Sequence, residues 1–139
     1  MSTQQIRTGR SAVPRAGGGE QHRRRSALGE FGERLAAAHL AAEGHVLLAR
    51  NWRCRYGEID LVARDDATLV FCEVKTRRTD RFGPPSAAVG AGKASRIREL
   101  AVRWMTATGT HGGEIRFDVI SVLSPVHAPV RLEHLRSAF

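Results

Sequence analysis

Lysine is almost absent from a chain that is otherwise strongly basic. Among the 22 Lys+Arg in 139 residues, 20 are arginine, and the two lysines are Lys75 and Lys93. A lysine here departs from the chain's habit. It points to a use for a compact ammonium with an adaptable pKa rather than a planar guanidinium fork. Cysteine is as scarce. The two present, Cys54 and Cys72, cannot make a disulfide framework, and Cys72 sits in an apolar run where it reads as a small core residue. A reducing, cytoplasmic setting is expected. No apolar run approaches the roughly 20 residues of a membrane helix, and the amino terminus lacks the hydrophobic stretch of a secretion signal, so no membrane partner is expected. Aromatic residues make up 6% of the chain, with no pair of the kind that marks a single-stranded RNA platform. Internal repeats are missing too, which excludes solenoid architectures.

What the chain has is charge, and its location is uneven. The net charge is +8, which favours polyanionic partners. Residues 1–25, "MSTQQIRTGRSAVPRAGGGEQHRRR", hold six arginines and one glutamate, five of those eight charges. Rich in Gly, Ser and Gln and without apolar periodicity, this segment cannot repay the entropy of ordering and is expected to be a disordered basic arm. Residues 26–139 are then expected to form one domain. Their length allows a single modest core.

Within that domain, "SALGEFGERLAAAHLAAEG" predicts a helix with Leu28, Phe31, Leu35 and Ala38 on its apolar side, Ser26 as N-cap and Gly44 as the stop. "HVLLARNWR" and "GEIDLVAR" read as strands. In the second, Glu58, Asp60 and Val62 alternate with Ile59, Leu61 and Ala63. "TLVFCEVKT" is apolar on both faces at its start, as a central strand should be. A basic loop with Gly-Pro-Pro punctuation leads to a helix from about Gly92 to Thr108, with apolar positions at Ile97, Leu100, Ala101, Trp104 and Met105. "EIRFDVISVL" is a further strand, and "VRLEHLRSAF" a short strand or edge segment. The order predicts a mixed α/β domain around one sheet.

The chemistry concentrates where two of these strands meet. If Arg64 and Thr68 flank a hairpin turning at Asp66 and Ala67, the register places Asp60 opposite Glu73. Directly opposed like charges are destabilising. Lys75, two residues beyond Glu73 on the same face, brings one compensating charge. A hard divalent cation such as Mg²⁺, which prefers carboxylate and carbonyl oxygens and keeps waters, would bring another. A metal that acidifies a bound water, with a lysine beside it, has the parts for phosphodiester hydrolysis. The competing use of these residues is a surface ion-pair cluster, which is worth little. Against it, the charges end an apolar strand, where an unpaired carboxylate is costly.

These residues also carry a family resemblance. "GEID" (Gly57–Asp60), twelve intervening residues and then "EVK" (Glu73–Lys75) together resemble the PD-(D/E)xK nuclease motif. The wider set "GEFGERLAAAHL", "ARNWR", "GEIDLVARD", "LVFCEVKTRR", "FGPPSAAV", "GKASRI" and "RFDVISV" is similar to the YraN-like family of predicted endonucleases, related to archaeal Holliday junction resolvases. The resemblance implies a restriction-endonuclease-like α/β fold, a central mixed sheet flanked by helices. It implies Asp60, Glu73 and the Val74 backbone carbonyl as ligands of Mg²⁺ or Mn²⁺, and Lys75 as the catalytic lysine. Glu33 matches the helix glutamate that completes the site in the resolvases, and Glu30, one turn earlier, remains an alternative from the residues alone. Glu58 is an extra carboxylate that reads as a partner for Arg53 or Arg55. Asp118 reads as the buried partner of Arg96 or Arg116.

The expected function is a metal-dependent endonuclease on DNA, branched or otherwise non-duplex. No element reads as a base-recognition helix, so phosphates and DNA shape should govern binding. Arg53, Arg55, Arg77, Arg78, Arg81 and Lys93 are the candidate phosphate contacts, and Trp52 is either a stacking residue or a core anchor. Symmetric two-strand cutting would imply a homodimer. The alternative is a non-catalytic nucleic-acid-binding or scaffolding module on the same fold.

Overall fold

A computed structural model describes residues 26–81, 83–111 and 113–139; the basic arm expected over residues 1–25 lies outside the described residues. The elements run α1 (Ala27–Ala42), β1 (Val46–Cys54), β2 (Gly57–Asp65), β3 (Thr68–Arg77), a short 3₁₀ turn (Pro85–Ala87), α2 (Ala91–Thr108), β4 (Glu114–Leu123) and β5 (Arg131–Leu135). The strands form one five-stranded sheet in the order β1-β2-β3-β4-β5. β3 and β4 are parallel, joined by the α2 crossover, and the other neighbours are antiparallel. A mixed sheet flanked by helices is therefore what the sequence builds. None of the helices described is long and apolar enough to cross a membrane.

Strand β3 is covered on both faces, and its alternation separates the two halves of the core. Val70 and Cys72 pack with Ala36, Ala37 and Leu40 of α1 and with Ile120 and Val122 of β4. Leu69 and Phe71 pack with Leu100, Ala101 and Trp104 of α2 and with Trp52 of β1. Trp52 is 7% exposed, so it is a core anchor rather than a stacking residue. Cys72 is buried as expected, and burial pushes its thiol pKa well up.

Helix α1 starts where its cap predicts. The Ser26 hydroxyl accepts the Gly29 N–H at 2.9 Å, satisfying one of the donors that a helix start leaves over. Its buried face differs from the expected one. Gly32, Glu33, Ala36, Ala37 and Leu40 face the sheet, while Ala38 is exposed and Leu28, Phe31 and Leu35 are half-buried. The reason is steric. Small residues let the helix backbone descend onto β3, and a Cβ on Gly32 would collide with Thr76 Oγ1 and lie 2.8 Å from Thr76 Cβ and Cγ2.

The β2–β3 hairpin has the predicted register from Asp65–Thr68 to Leu61–Cys72, and the pairing closes there, one step short of Asp60 and Glu73. Strict alternation in β2 also breaks at Asp60. Ile59 and Val62 both pack under α2, whereas Leu61 and Ala63 pack under α1. The neighbouring strand supplies the cause: Asn51 lies between the pairs Arg50–Leu61 and Trp52–Ile59 and has φ 51°. That left-handed conformation is one asparagine tolerates better than most residues. It kinks β1 opposite Asp60, and both strands lose their two-residue period at the same level.

Candidate active site at the end of the central strand

Asp60 sits in this break, 9% exposed. Released from the ladder, its carboxylate turns toward β3, where Oδ2 accepts the Val74 N–H at 2.8 Å. Burial raises the Asp60 pKa well above the usual carboxylate value; Glu73 raises it further, as do Glu33 and Glu58, while the Val74 hydrogen bond pulls it down. Three carboxylates, from α1, β2 and β3, therefore act on Asp60 here. Glu33 is 7% exposed, and the close approach of α1 at Gly32 is what brings it within electrostatic reach of Asp60. Glu33 faces the sheet whereas Glu30 is exposed, so of the two alternatives the fold turns Glu33 inward.

The cation on Glu73 comes from α2 rather than from β3. Lys93 Nζ lies 2.6 Å from Glu73 Oε2, a short charge-assisted bond to a side chain that is 13% exposed. Lys75, expected to hold Glu73, is exposed instead. It lines a recess with Thr76, Arg77, Arg78, Thr79, Ala87 and Ala88. Both guanidiniums in that recess are braced by main-chain carbonyls: Arg77 donates to Gly83 O and Arg78 to Ser124 O, each at 3.1 Å. Arg81 is exposed in the following loop. Arg53 pairs with Glu58 at 3.4 Å, the use read for Glu58 from the sequence. Arg55 lies over the Tyr56 ring at 5.4 Å.

The metal set is less complete than the sequence implies. Among the described residues, no group of three or more His, Cys, Asp or Glu side chains stands arranged to hold a metal ion. What fits a hard cation is chemical: an all-oxygen donor set around a carboxyl whose pKa is raised first by burial and then by its anionic neighbours.

Asp118 belongs to a different structure. Fully buried in β4, it takes Arg116 in a fork, Nε to Oδ1 and Nη2 to Oδ2, both at 2.9 Å. His134 of β5 adds a bond at 2.8 Å and the Ser137 N–H one at 3.1 Å. Burial alone would raise its pKa; these bonds overcome that and hold it at about 2. Arg116 also reaches Asp65 at 2.9 Å, and His134 lies 3.0 Å from His39 of α1. This network ties β5 and the tail to the sheet and stands apart from the carboxylate cluster. Of the two arginines considered for Asp118, the two-residue period of a strand favours Arg116, and that is the partner found.

Fold and site together define a class: a mixed α/β domain with an acidic cluster and two lysines at the carboxyl end of its central strand. The chain belongs to UPF0102, "Uncharacterised protein family UPF0102", matched over residues 32–122. It is 56% identical to a UPF0102 protein of Frankia alni over 84% of this chain and 98% of that one. It is 51% identical to one from Acidothermus cellulolyticus, covering 83% and 95%, and 50% identical to one from Streptomyces coelicolor, covering 87% and 95%. The matched span contains the positions of Glu33, Asp60, Glu73, Lys75 and Lys93. Membership thus bears out the family part of the resemblance, and the family's description carries no activity.

Proposed function

We propose that this chain is a divalent-metal-dependent endonuclease of restriction-endonuclease-like fold that hydrolyses DNA phosphodiesters, with branched DNA as the substrate class. The observation that carries the reading is the buried Asp60 carboxyl beside Glu73 and Glu33. Such a cluster costs stability unless a cation offsets it, and a fold that keeps one has a use for it. Asp60 and Glu73 would hold Mg²⁺ or Mn²⁺, with the Val74 carbonyl and Glu33 completing the oxygen set. When bound, such an ion acidifies a water and neutralises charge developing on phosphorus.

The remaining parts are the protein's own. The Val74 amide fixes the rotamer of Asp60. Lys93 balances Glu73 in the metal-free protein. Lys75, at the open end of β3 beside the braced Arg77 and Arg78, sits where an ammonium can meet an incoming phosphate. Arg53, Arg55 and Arg81 extend the basic surface, and a homodimer would suit paired cuts on two strands.

A second reading has one observation in its favour. Lys93 already satisfies Glu73, as it would in a non-catalytic nucleic-acid-binding or scaffolding module. The experiment that separates the two incubates the protein with four-way junction, flap and linear duplex DNA and a structured RNA, in Mg²⁺, Mn²⁺ or EDTA, beside Glu73→Ala and Lys75→Ala. Metal-dependent cleavage abolished in both variants supports the enzyme. Binding without cleavage under every metal favours the module.

A further inference from the structure

Among the described residues, one aromatic ring is displayed rather than buried. Tyr56, the chain's single tyrosine, is 50% exposed on the two-residue turn between β1 and β2. The Arg103 guanidinium of α2 lies 3.6 Å from its ring centroid and that of Arg55 lies 5.4 Å away. Gly57, at φ 144°, lets the backbone lie against α2, and a Cβ there would stand 3.3 Å from Leu100 Cδ1. The opposing charge is slight: Glu99 reaches Arg103 at 3.7 Å from a side chain that is 65% exposed, a pairing that solvent leaves weak.

We infer that the Tyr56–Arg103–Arg55 stack is a platform for an unpaired nucleobase of the nucleic acid. The inference rests on the nuclease reading for the identity of the polymer and deepens it by naming the feature of the substrate that is recognised. Two observations carry it. Exposed aromatic and guanidinium planes are what unpaired bases stack on, and a guanidinium in the stack also meets the adjoining phosphate. The second is distance along one helix. Lys93 touches Glu73 and Arg103 touches Tyr56, so the platform lies ten residues, about 15 Å, along α2 from the carboxylate cluster at ~1.5 Å per residue. That span is roughly four nucleotide steps of a helical strand at ~3.4 Å each. A base can stack on Tyr56 only where its pair has opened, so a strand that ran along α2 from the cluster would meet the platform at a junction or flap.

The test measures binding in EDTA, so that it does not depend on cleavage. Fluorescence anisotropy compares a flap or tailed duplex with a fully paired duplex of the same length, for wild type, Tyr56→Leu and Tyr56→Phe. One lost stack predicts that Tyr56→Leu weakens flap binding about 5- to 100-fold, leaves duplex binding unchanged, and that Tyr56→Phe restores the wild-type value. Unchanged flap affinity in Tyr56→Leu overturns the platform, and so does an equal loss on both DNAs. As a second measurement on the unmodified protein, photocrosslinking with 5-iodouracil in the flap should map to Tyr56; crosslinks confined to other residues overturn the inference. A protein that never cleaves but passes these tests would refute the nuclease reading and leave the platform standing.

Discussion

Replacing Gly32 with alanine adds one carbon atom and should unseat α1. The new Cβ would meet all three side-chain heavy atoms of Thr76, two of them at 2.8 Å and Oγ1 nearer still. Rotating Thr76 cannot relieve this, because one of the atoms is its own Cβ, fixed by the β3 backbone. The helix must lift instead. Overpacking of this kind costs about 1–3 kcal/mol, and a clash that no rotamer resolves belongs at the upper end. Alanine returns about 1 kcal/mol through its better helix propensity, so the net loss is about 2 kcal/mol. For a domain near this size that is a fall in Tm of about 8 °C, read by circular dichroism. Gly92→Ala is the control. Gly92 lies exposed in α2 with nothing within 4 Å of an added Cβ, so the variant should melt at or above wild type by up to about 1 kcal/mol. Adding Thr76→Ala to Gly32→Ala removes two of the three clashing atoms and should recover part of the loss, a coupling of more than about 0.5 kcal/mol. A Gly32→Ala protein within 2 °C or so of wild type would refute the close approach, and with it the account of how Glu33 reaches Asp60.

Other consequences follow from the charges. Asp60→Asn keeps an acceptor for the Val74 amide and removes repulsion, so it should stabilise the metal-free protein at pH 7. Because the folded pKa of Asp60 is raised, its cost is greatest above that pKa and fades as pH falls toward the unfolded value near 3.8; the gain measured by urea denaturation should shrink accordingly, and a gain independent of pH would contradict the cause given. His39 and His45 have pKa values lowered from 6.5, chiefly by burial, so the unfolded chain takes up protons first as pH drops through 6.5. Stability should fall there by at most about 1.4 kcal/mol per pH unit for each histidine, and His45→Gln should flatten the slope. Asp118→Ala strands Arg116 and His134 and should cost about 3–5 kcal/mol; a loss below about 1 kcal/mol would mean the network bears little of the β5 attachment. Lys93→Met should lower the Tm in EDTA and regain it with millimolar Mg²⁺ more than wild type does, and equal Mg²⁺ responses would argue that the ion does not use Glu73.

How much of this the sequence revealed depended on whether the deciding contact was local. Element positions are legible because caps, periodicity and turn residues act within a few positions: Ser26, Gly44 and the Asp66–Ala67 turn all stand where the sequence predicts them. The face of α1 differs from the one its apolar residues predict, because the absence of side-chain bulk at Gly32, Ala36 and Ala37 sets which side can approach a sheet. The break at Asp60 was invisible in "GEIDLVAR", since its cause is Asn51 on another strand. Distance in sequence likewise hides Tyr56 from Arg103 and Glu73 from Lys93, because only the path of α2 across the sheet decides what either touches.

That path gives the scarcity of lysine a sharper meaning. Both lysines of the chain converge on the end of β3, Lys93 by direct contact with Glu73 and Lys75 by its place two residues beyond it. An arginine at 93 would offer Glu73 a bidentate fork and hold it in a fixed plane. A single ammonium makes one bond, and its loss leaves the carboxylate free to turn toward another cation. On the proposed metal-dependent reading, Lys93 would stabilise the carboxylate cluster until an ion displaced it, and the Lys93→Met melting comparison measures that exchange.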